Sequence, residues 1–304
     1  MATTLETLSQ DLAGAVERVG RRVVAIRARR RIPSSGIVWR DGLVVTAAHT
    51  IQREEDITVL LPDGGTARAT LLGRDLGSDL AALRLDPSPG GEIEIAPPDA
   101  LRVGTMVLAL GRPGPTLTAA FGLISAAGDA WRTWHGGKID RLIRLDIGIY
   151  DGFSGGPLVD GAGRVLGVNT STLLRGAPTT IPAETVERVL AQLVEHGRVP
   201  AGYLGVATET VRLPDQLVKV EKLPERTGLM IVSVESGSPA EQAGMLLGDV
   251  LVAIDDTAVA DPGDVLAALD ADSVGREADV RVIRAGKTKA LSVKIGERVA
   301  RRAR

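Results

Sequence analysis

The sequence predicts a mostly β protein: an antiparallel sandwich or pair of barrels, followed by a small α+β module of about 100 residues. Three observations carry that expectation. Between Arg22 and Thr170, short β-branched runs alternate with turn-forming pairs such as Asp41-Gly42. No helical crossover interrupts those runs, which argues against a parallel α/β sheet. Beyond Val199-Pro200 the pattern changes to strands flanking short, capped helices. A length of 304 residues agrees with about two domains.

The first element is helical. Leu5, Leu8, Leu12, Val16 and Val19 recur at three- and four-residue intervals, so residues 4–19 are expected as an amphipathic helix. Strands are expected at 23–26, 37–39, 43–45 and 57–61, the last followed by the turn Pro62-Asp63-Gly64-Gly65. Others follow at 80–85, 105–110, 121–125, 141–147, 156–159 and 165–169. Residues 161–167 are glycine-rich but lack dinucleotide-binding spacing, and read as a hairpin turn. Pro182 opens a helix with Val186, Val189, Leu190, Leu193 and Val194 on one face, and Gly197 closes it. In the second unit, Ser238-Pro239-Ala240-Glu241 has the form of a capping box with Pro at the first helical position. Asp261-Pro262 starts another helix, expected to bury Val265, Leu266 and Leu269. Residues 281–284 and 290–295 are expected to pair across Ala285-Gly286-Lys287. The boundaries expected are 1–20 for the first helix, 21–198 for the barrels, 202–297 for the second domain and 298–304 for a basic tail.

Composition narrows function by exclusion. Hydrophobic residues at 44% and charged residues at 24% are ordinary globular values, not those of a disordered chain. Lys+Arg 36 against Asp+Glu 38 leaves a net charge of −2, so no global field recruits nucleic acid. Three Trp, two Tyr and two Phe are too few for the stacking platforms of single-strand binders. Zero Cys excludes disulfides, iron–sulfur clusters, thiolate zinc sites and Cys nucleophiles. The three histidines, His49, His135 and His196, share no metal-ligand spacing, and no metal or organic cofactor is expected. No run reaches the ~18–20 apolar residues of a membrane span. The first 20 residues lack the apolar core and cleavage site of a signal peptide. That gives a cytoplasmic expectation for the chain as written, and an extracytoplasmic one if a leader has been removed. Arg27, Arg29, Arg30 and Arg31 are expected on a strand, with several guanidinia on a solvated face.

The most informative stretch is Asp151-Gly152-Phe153-Ser154-Gly155-Gly156-Pro157. A Ser hydroxyl is a weak nucleophile and needs a base, an orienter for that base, and donors for the oxyanion. Flanking glycines let the backbone turn sharply and gather its N–H groups. The stretch fits G-x-S-x-G, but a nucleophile elbow needs a helix after the Ser and the order Ser, acid, His. Here Pro157-Leu158-Val159-Asp160-Gly161 leads into a hairpin, and the one later histidine, His196, ends a helix. The order His, Asp, Ser instead selects His49, in Thr46-Ala47-Ala48-His49, and Asp79, in Ser78-Asp79-Leu80-Ala81.

In that order the sequence resembles the HtrA/DegP family of chymotrypsin-fold serine proteases. The matching segments are Ser35-Gly36-Ile37-Val38, 46–50, 78–83, 152–158 and Gly167-Val168-Asn169-Thr170, in family order across residues 22–197. The resemblance implies a chymotrypsin-like double β-barrel with Ser154 as nucleophile, His49 as general base then acid, and Asp79 as orienter. It further implies an oxyanion hole from the N–H groups of Gly152 and Ser154. Ile149, Thr179 and Thr180 would line an S1 pocket that favours aliphatic P1 residues. The loop Ile149-Tyr150-Asp151-Gly152-Phe153-Ser154 departs from the family's Ile-Asn-Pro-Gly-Asn-Ser, and 176–182 replaces a glycine-rich stretch. Residues 129–135, with Trp131, Trp134 and His135, occupy the place of the family's regulatory loop.

Residues 202–296 resemble a PDZ domain of the HtrA type. Gly202-Tyr203-Leu204-Gly205-Val206 matches its carboxylate-binding loop; Gly237-Ser238-Pro239-Ala240 and Gly248-Asp249-Val250-Leu251 match its core signature. Successive N–H groups in the first stretch would capture a C-terminal carboxylate, with Val265, Leu266 and Leu269 beside the peptide. The family resemblance implies an ATP-independent endopeptidase of protein quality control, cleaving unfolded or damaged polypeptides and binding exposed C-termini. It also implies a homo-oligomer, a trimer, here with Leu5, Leu8 and Leu12 in place of aromatic contacts. The alternative is a PDZ-bearing chaperone or binding protein whose protease domain is inactive or latent.

Overall fold

The computed structural model describes residues 3–86, 91–134, 136–174 and 177–297; His135, Gly176 and the basic tail 298–304 lie outside them. The chain falls into two units, 1–199 and 200–304.

The first unit opens with α1 (Thr4–Gly20), capped by Thr3, whose hydroxyl accepts from Glu6 N while the Glu6 carboxylate accepts from Thr3 N. Leu12, Ala15, Val16 and Val19 lie against the core, and Leu5 is left exposed. Six strands follow: β1 (Val23–Arg27), β2 (Ser34–Arg40), β3 (Leu43–Ala47), β4 (Ile57–Leu60), β5 (Thr66–Asp75) and β6 (Leu80–Asp86). They close a barrel in the order β1-β2-β3-β6-β5-β4, every pair antiparallel. A second barrel takes β7 (Met106–Gly111), β8 (Thr118–Gly128), β11 (Leu142–Asp146), β12 (Pro157–Asp160), β13 (Val165–Thr170) and β14 (Thr179–Pro182). Its order is β11-β14-β13-β12-β7-β8, with β9 (Trp131–Arg132) and β10 (Lys138–Ile139) paired as a separate ribbon. Helix α2 (Ala183–His196) follows directly and stops at Gly197.

Alternation explains why β2 and β3 bury nearly every residue. Within β2 and β3, Val38 and Val44 fill the first barrel, while Ile37, Trp39 and Val45 face a seam shared with the second barrel and α2. Leu108, Leu110, Val159, Val168 and Ile181 enter that seam from the other barrel, and Val186, Val189, Leu190 and Leu193 from the helix. Ile124, Ile143, Phe153, Leu158 and Leu166 fill the second barrel. At about 1.5–3 kcal/mol per large side chain buried, the seam is a major stabilising feature as well as the place where loops of both barrels meet.

The double β-barrel is as the sequence predicts, with three local corrections. β5 was not foreseen: its alanines and its register shift at Leu71/Gly73 blur the period-two signal. Of the arginine run, Arg27 alone lies on a strand; Arg29–Arg31 belong to the loop between β1 and β2, because Pro33 and the β2 register end the ladder at Ile26↔Ser34. β14 also precedes α2, and its last residue, Pro182, is the helix N-cap residue.

The second unit pairs β15 (Gly202–Tyr203) with β22 (Gly296–Glu297). Its main sheet runs β16 (Val206–Arg212), β17 (Thr227–Val234), β18 (Val250–Ile254), β20 (Glu277–Arg284), β21 (Lys287–Lys294), with β19 (Thr257–Ala258) also on β18. Three short helices accompany it: α3 (Asp215–Val220), α4 (Pro239–Gln242) and α5 (Pro262–Ala268). The capping box expected at Ser238 is half present. Ser238 Oγ accepts from Glu241 N, but the Glu241 carboxylate reaches Gly237 N instead of returning to Ser238. A full box caps α5, between Asp261 and Asp264. Of the three residues expected to be buried there, Leu269 is; Val265 and Leu266 are half-buried. The β20–β21 turn is Ala285-Gly286 alone, both left-handed, so Lys287 already belongs to the strand.

Candidate active site and peptide-binding edge

β3 ends in a single 3-10 turn, Ala48–Thr50, held by Ala48 N donating to Asp79 O at 3.0 Å and Thr50 Oγ1 to Ala47 O at 2.7 Å. This turn carries His49. Asp79, just before β6, has φ 58°, a left-handed conformation that costs a non-glycine residue about 1–2 kcal/mol. Its side chain offsets that cost. Oδ1 accepts from His49 N at 2.9 Å, and His49 Nδ1 lies 2.8 Å from Oδ2 and 3.0 Å from Oδ1. Oδ2 also accepts from Thr170 Oγ1 at 2.5 Å and Thr172 Oγ1 at 2.9 Å.

Burial pushes the Asp79 carboxyl up. The His49 hydrogen bond and charge, with Thr170 and the His49 backbone N–H, outweigh it and hold the group below its ordinary 3.8. A charged carboxylate facing Nδ1 places the imidazole proton there, so Nε2 carries the lone pair that can accept one.

Ser154 sits in the turn before β12. Tyr150 O accepts from Phe153 N at 3.0 Å, with Gly152 at φ 91° in the third position. Gly155 is also left-handed, at φ 90°, and a Cβ there would lie 2.2 Å from Ser35 O and 2.3 Å from Thr46 Oγ1. The turn is thus pressed against the strands of the first barrel, one of which runs into His49. Ser35 secures it: its Oγ donates to Gly152 O at 2.5 Å and accepts from Arg112 N at 2.7 Å. Among the described residues, the N–H groups of Gly152 and Ser154 have no acceptor. The Phe153 ring packs inward, 1% exposed and edge-on to Tyr150 at 5.7 Å, so it occupies the second barrel's core.

Ser154 Oγ lies 3.2 Å from Ser171 Oγ, and among the described residues makes no hydrogen bond to His49. Ser171 stands between Thr170 and Thr172, both of which hold Asp79. The segment 170–172 therefore touches both halves of the site. Sequence reading missed Ser35, Ser171 and Thr172; the available signal was three consecutive hydroxyls after a buried strand.

Around the expected S1 positions, Ile149 is half-buried against the second barrel's core, and Thr179 and Thr180 are fully buried in β14. Both hydroxyls are engaged, Thr180 Oγ1 with Asn169 Oδ1 at 2.9 Å and Thr179 Oγ1 with Ala177 O at 3.0 Å. In the 129–134 loop, Trp131 packs on the seam while Trp134 is exposed.

In the second unit, Leu204 O accepts from Ala240 N and Gly205 O from Glu235 N, while Tyr203 Oη donates to Glu235. Gly205 is left-handed at φ 84°, and the Ser238 Cβ fills the space a side chain would need. β16 is the edge of its sheet, so its outer side is open to another strand. Leu204 and Leu269 share one core, with Val206 and Val265 packed on it; Leu266 is half-buried outside that group.

Residues 34–168 match the trypsin-like peptidase domain, and residues 202–295 match the PDZ domain. A probable periplasmic serine endoprotease DegP-like of Rhizobium meliloti (strain 1021) is 34% identical over 280 residues, 89% of this chain and 54% of that protein. The chain belongs to the HtrA/DegP-type serine protease family. A putative serine protease HhoB of Synechocystis sp. is 32% identical over 273 residues, 86% of this chain and 66% of that one. Among solved structures, the HtrA-type protease AlgW with decapeptide has a TM-score of 0.75 at 26% identity, covering 95% of this chain and 99% of its own. The serine endoprotease from Yersinia pestis gives a TM-score of 0.75 at 27% identity, covering 98% and 100%. The chain spans about half the length of the DegP-like relatives it matches, 54% of the Rhizobium protein.

Proposed function

We propose that the chain is an ATP-independent serine endopeptidase acting on unfolded or damaged polypeptides. The observation that carries this reading is the His49 imidazole oriented by the charged Asp79 carboxylate, beside a glycine-flanked Ser whose turn leaves two N–H groups open among the described residues. Ser154 Oγ attacks the peptide carbonyl as His49 Nε2 takes its proton, and Asp79 stabilises the imidazolium. Gly152 N and Ser154 N receive the oxyanion, each donor contributing roughly 3 kcal/mol in the transition state. His49 then protonates the leaving amine, and water repeats the sequence on the acyl-enzyme. The attacking arrangement requires the Ser154 hydroxyl to exchange Ser171 for His49 as its partner.

Ile149, half-buried, borders the S1 side, while Thr179 and Thr180 are buried in β14 and shape it only through that strand; aliphatic P1 residues are favoured because none of the three carries a carboxylate for a basic one. In the PDZ domain the N–H groups of Leu204, Gly205 and Val206 take a free carboxylate. The peptide adds a strand at β16, with Val265, Leu266 and Leu269 beside it. Working boundaries are 21–198 and 202–297. Relatives named periplasmic support an extracytoplasmic compartment. No helix among the described residues is long and apolar enough to cross a membrane. A homo-oligomer, a trimer, would use exposed Leu5 and half-buried Leu8, since Leu12 packs on the chain's own core.

The test is a fluorophosphonate. It should label wild type at Ser154, and Ser154→Ala should lose both label and casein hydrolysis at an unchanged melting temperature. His49→Ala should cost nearly as much, because triad losses do not add. An unlabelled wild type that leaves casein intact would replace this reading with that of a binding protein.

A further inference from the structure

One groove beside the triad has no part in that chemistry. It is open to solvent, has a volume of about 310 Å3 and is lined by Arg29, Arg30, Arg31, Ile32, Gln52 and Asp151. Its wall is the loop between β1 and β2, fastened at both ends of the site. On one side, Gln52 N and Arg53 N donate to Ala28 O at 3.0 and 3.1 Å, three and four residues beyond His49. On the other, a Cβ at Gly152 would lie 2.9 Å from Pro33 O, and Asp151 immediately precedes that glycine. The groove therefore runs from the His49 turn to the oxyanion turn.

Arg29 shapes the loop, its Nε donating to Ile32 O at 2.5 Å. Arg30 and Arg31 are exposed, and among the described residues neither has an ion-pair partner; nor has Asp151. Three guanidinia against one carboxylate make this a local positive site on a chain of net charge −2. Guanidinium forks match carboxylates in geometry as well as charge.

In hydrolysis by such a triad, the amine leaves from the side of the imidazole that protonates it. A chain leaving on that side passes the His49 turn, where one end of this groove lies. We propose that the groove selects acidic side chains on the substrate C-terminal to the cleaved bond, through Arg30 and Arg31. This rests on the endopeptidase reading given above. Asp151 sits at the oxyanion end and repels an acid placed there. The preference thus falls on the second and third residues beyond the bond.

The experiment uses internally quenched peptides sharing one sequence before the bond, with Glu-Glu, Gln-Gln or Lys-Lys at those two positions. Wild type should cleave the Glu-Glu peptide with kcat/KM about five- to tenfold above the Lys-Lys peptide, narrowing between low and high salt. In Arg30→Glu/Arg31→Glu the order should invert, with fluorophosphonate labelling of Ser154 retained. Labelling of Ser154 with equal cleavage of all three peptides, or a ratio the double variant leaves unmoved, overturns the acidic preference alone. No labelling and no cleavage of any peptide overturns the endopeptidase reading, and the preference with it.

Discussion

Thr170→Val removes one hydroxyl from the Asp79 carboxylate and almost no volume. Thr170 is fully buried, and its Oγ1 donates to Asp79 Oδ2 at 2.5 Å. A hydrogen bond to a charged group contributes about 1.5–3 kcal/mol. Thr172 still donates to the same oxygen at 2.9 Å, which puts the loss at the lower end. The expected cost is about 1.5–2 kcal/mol at pH 7, or about 3–8 °C in a unit of this size. Trp39, Trp131 and Trp134 all lie in the first unit, so tryptophan fluorescence in urea reports on it alone.

The pH dependence distinguishes charge from packing. The Asp79 carboxyl is held below 3.8 in the fold by the His49 and Thr170 contacts, against the opposing effect of burial. Stabilisation of that kind is present above the unfolded value and is lost as pH falls through the folded one. The gap between wild type and Thr170→Val should be full from pH 7 to about pH 5 and close below about pH 4. A gap that does not shrink as pH falls below 3.8 toward acid unfolding, or one under about 0.5 kcal/mol at pH 7, would refute the view that Thr170 stabilises a charged carboxylate.

Four further outcomes are expected. Phe153→Ala should destabilise the first unit by about 3–5 kcal/mol, read by the same fluorescence; a loss under about 1 kcal/mol would place the ring outside the core. Gly155→Ala, with its Cβ 2.2 Å from Ser35 O, should abolish fluorophosphonate labelling even where thermal denaturation shows a folded chain. Leu266→Asp should weaken a peptide ending in free Val by about tenfold in fluorescence anisotropy, and amidating that peptide should do the same; unchanged affinity in both would remove the groove assignment. Leu8→Asp should lower the mass seen by light scattering from an oligomer to 31.8 kDa; a wild type already monomeric at every concentration would exclude the oligomer.

The barrels were legible because β-branched runs and turn pairs are local signals, and Asp41-Gly42 or Pro62-Asp63-Gly64-Gly65 fix where strands reverse. β5 was hidden for the converse reason: Ala67, Ala69 and a bulge at Gly73 give a strand whose pairing is decided by its neighbours β4 and β6. His49, Asp79 and Ser154 could be ordered from the sequence because their flanks are distinctive. Ser35 could not, since an isolated hydroxyl acquires a role only when distant strands bring it a partner, and Ser171 and Thr172 left only the run of hydroxyls they form with Thr170. Phe153 is the sharpest case. Its position beside Ser154 read as a departure in the oxyanion loop, yet the direction of its ring depends on the space below Gly111, which no local pattern records.

Arg112 ties the N-terminal helix to the chemistry. Its guanidinium, set among backbone oxygens, donates to Gly20 O at 3.1 Å, Val23 O at 2.7 Å and Pro115 O at 2.8 Å. Its own N–H meets Ser35, which in turn grips Gly152 O. The last carbonyl of α1 and the turn before Ser154 are therefore ends of one short chain of hydrogen bonds. The end of the helix and the Gly152 carbonyl thus stand three hydrogen bonds apart, through Arg112 and Ser35, so the N-terminal segment is built into the same bonded scaffold as the turn that carries Ser154.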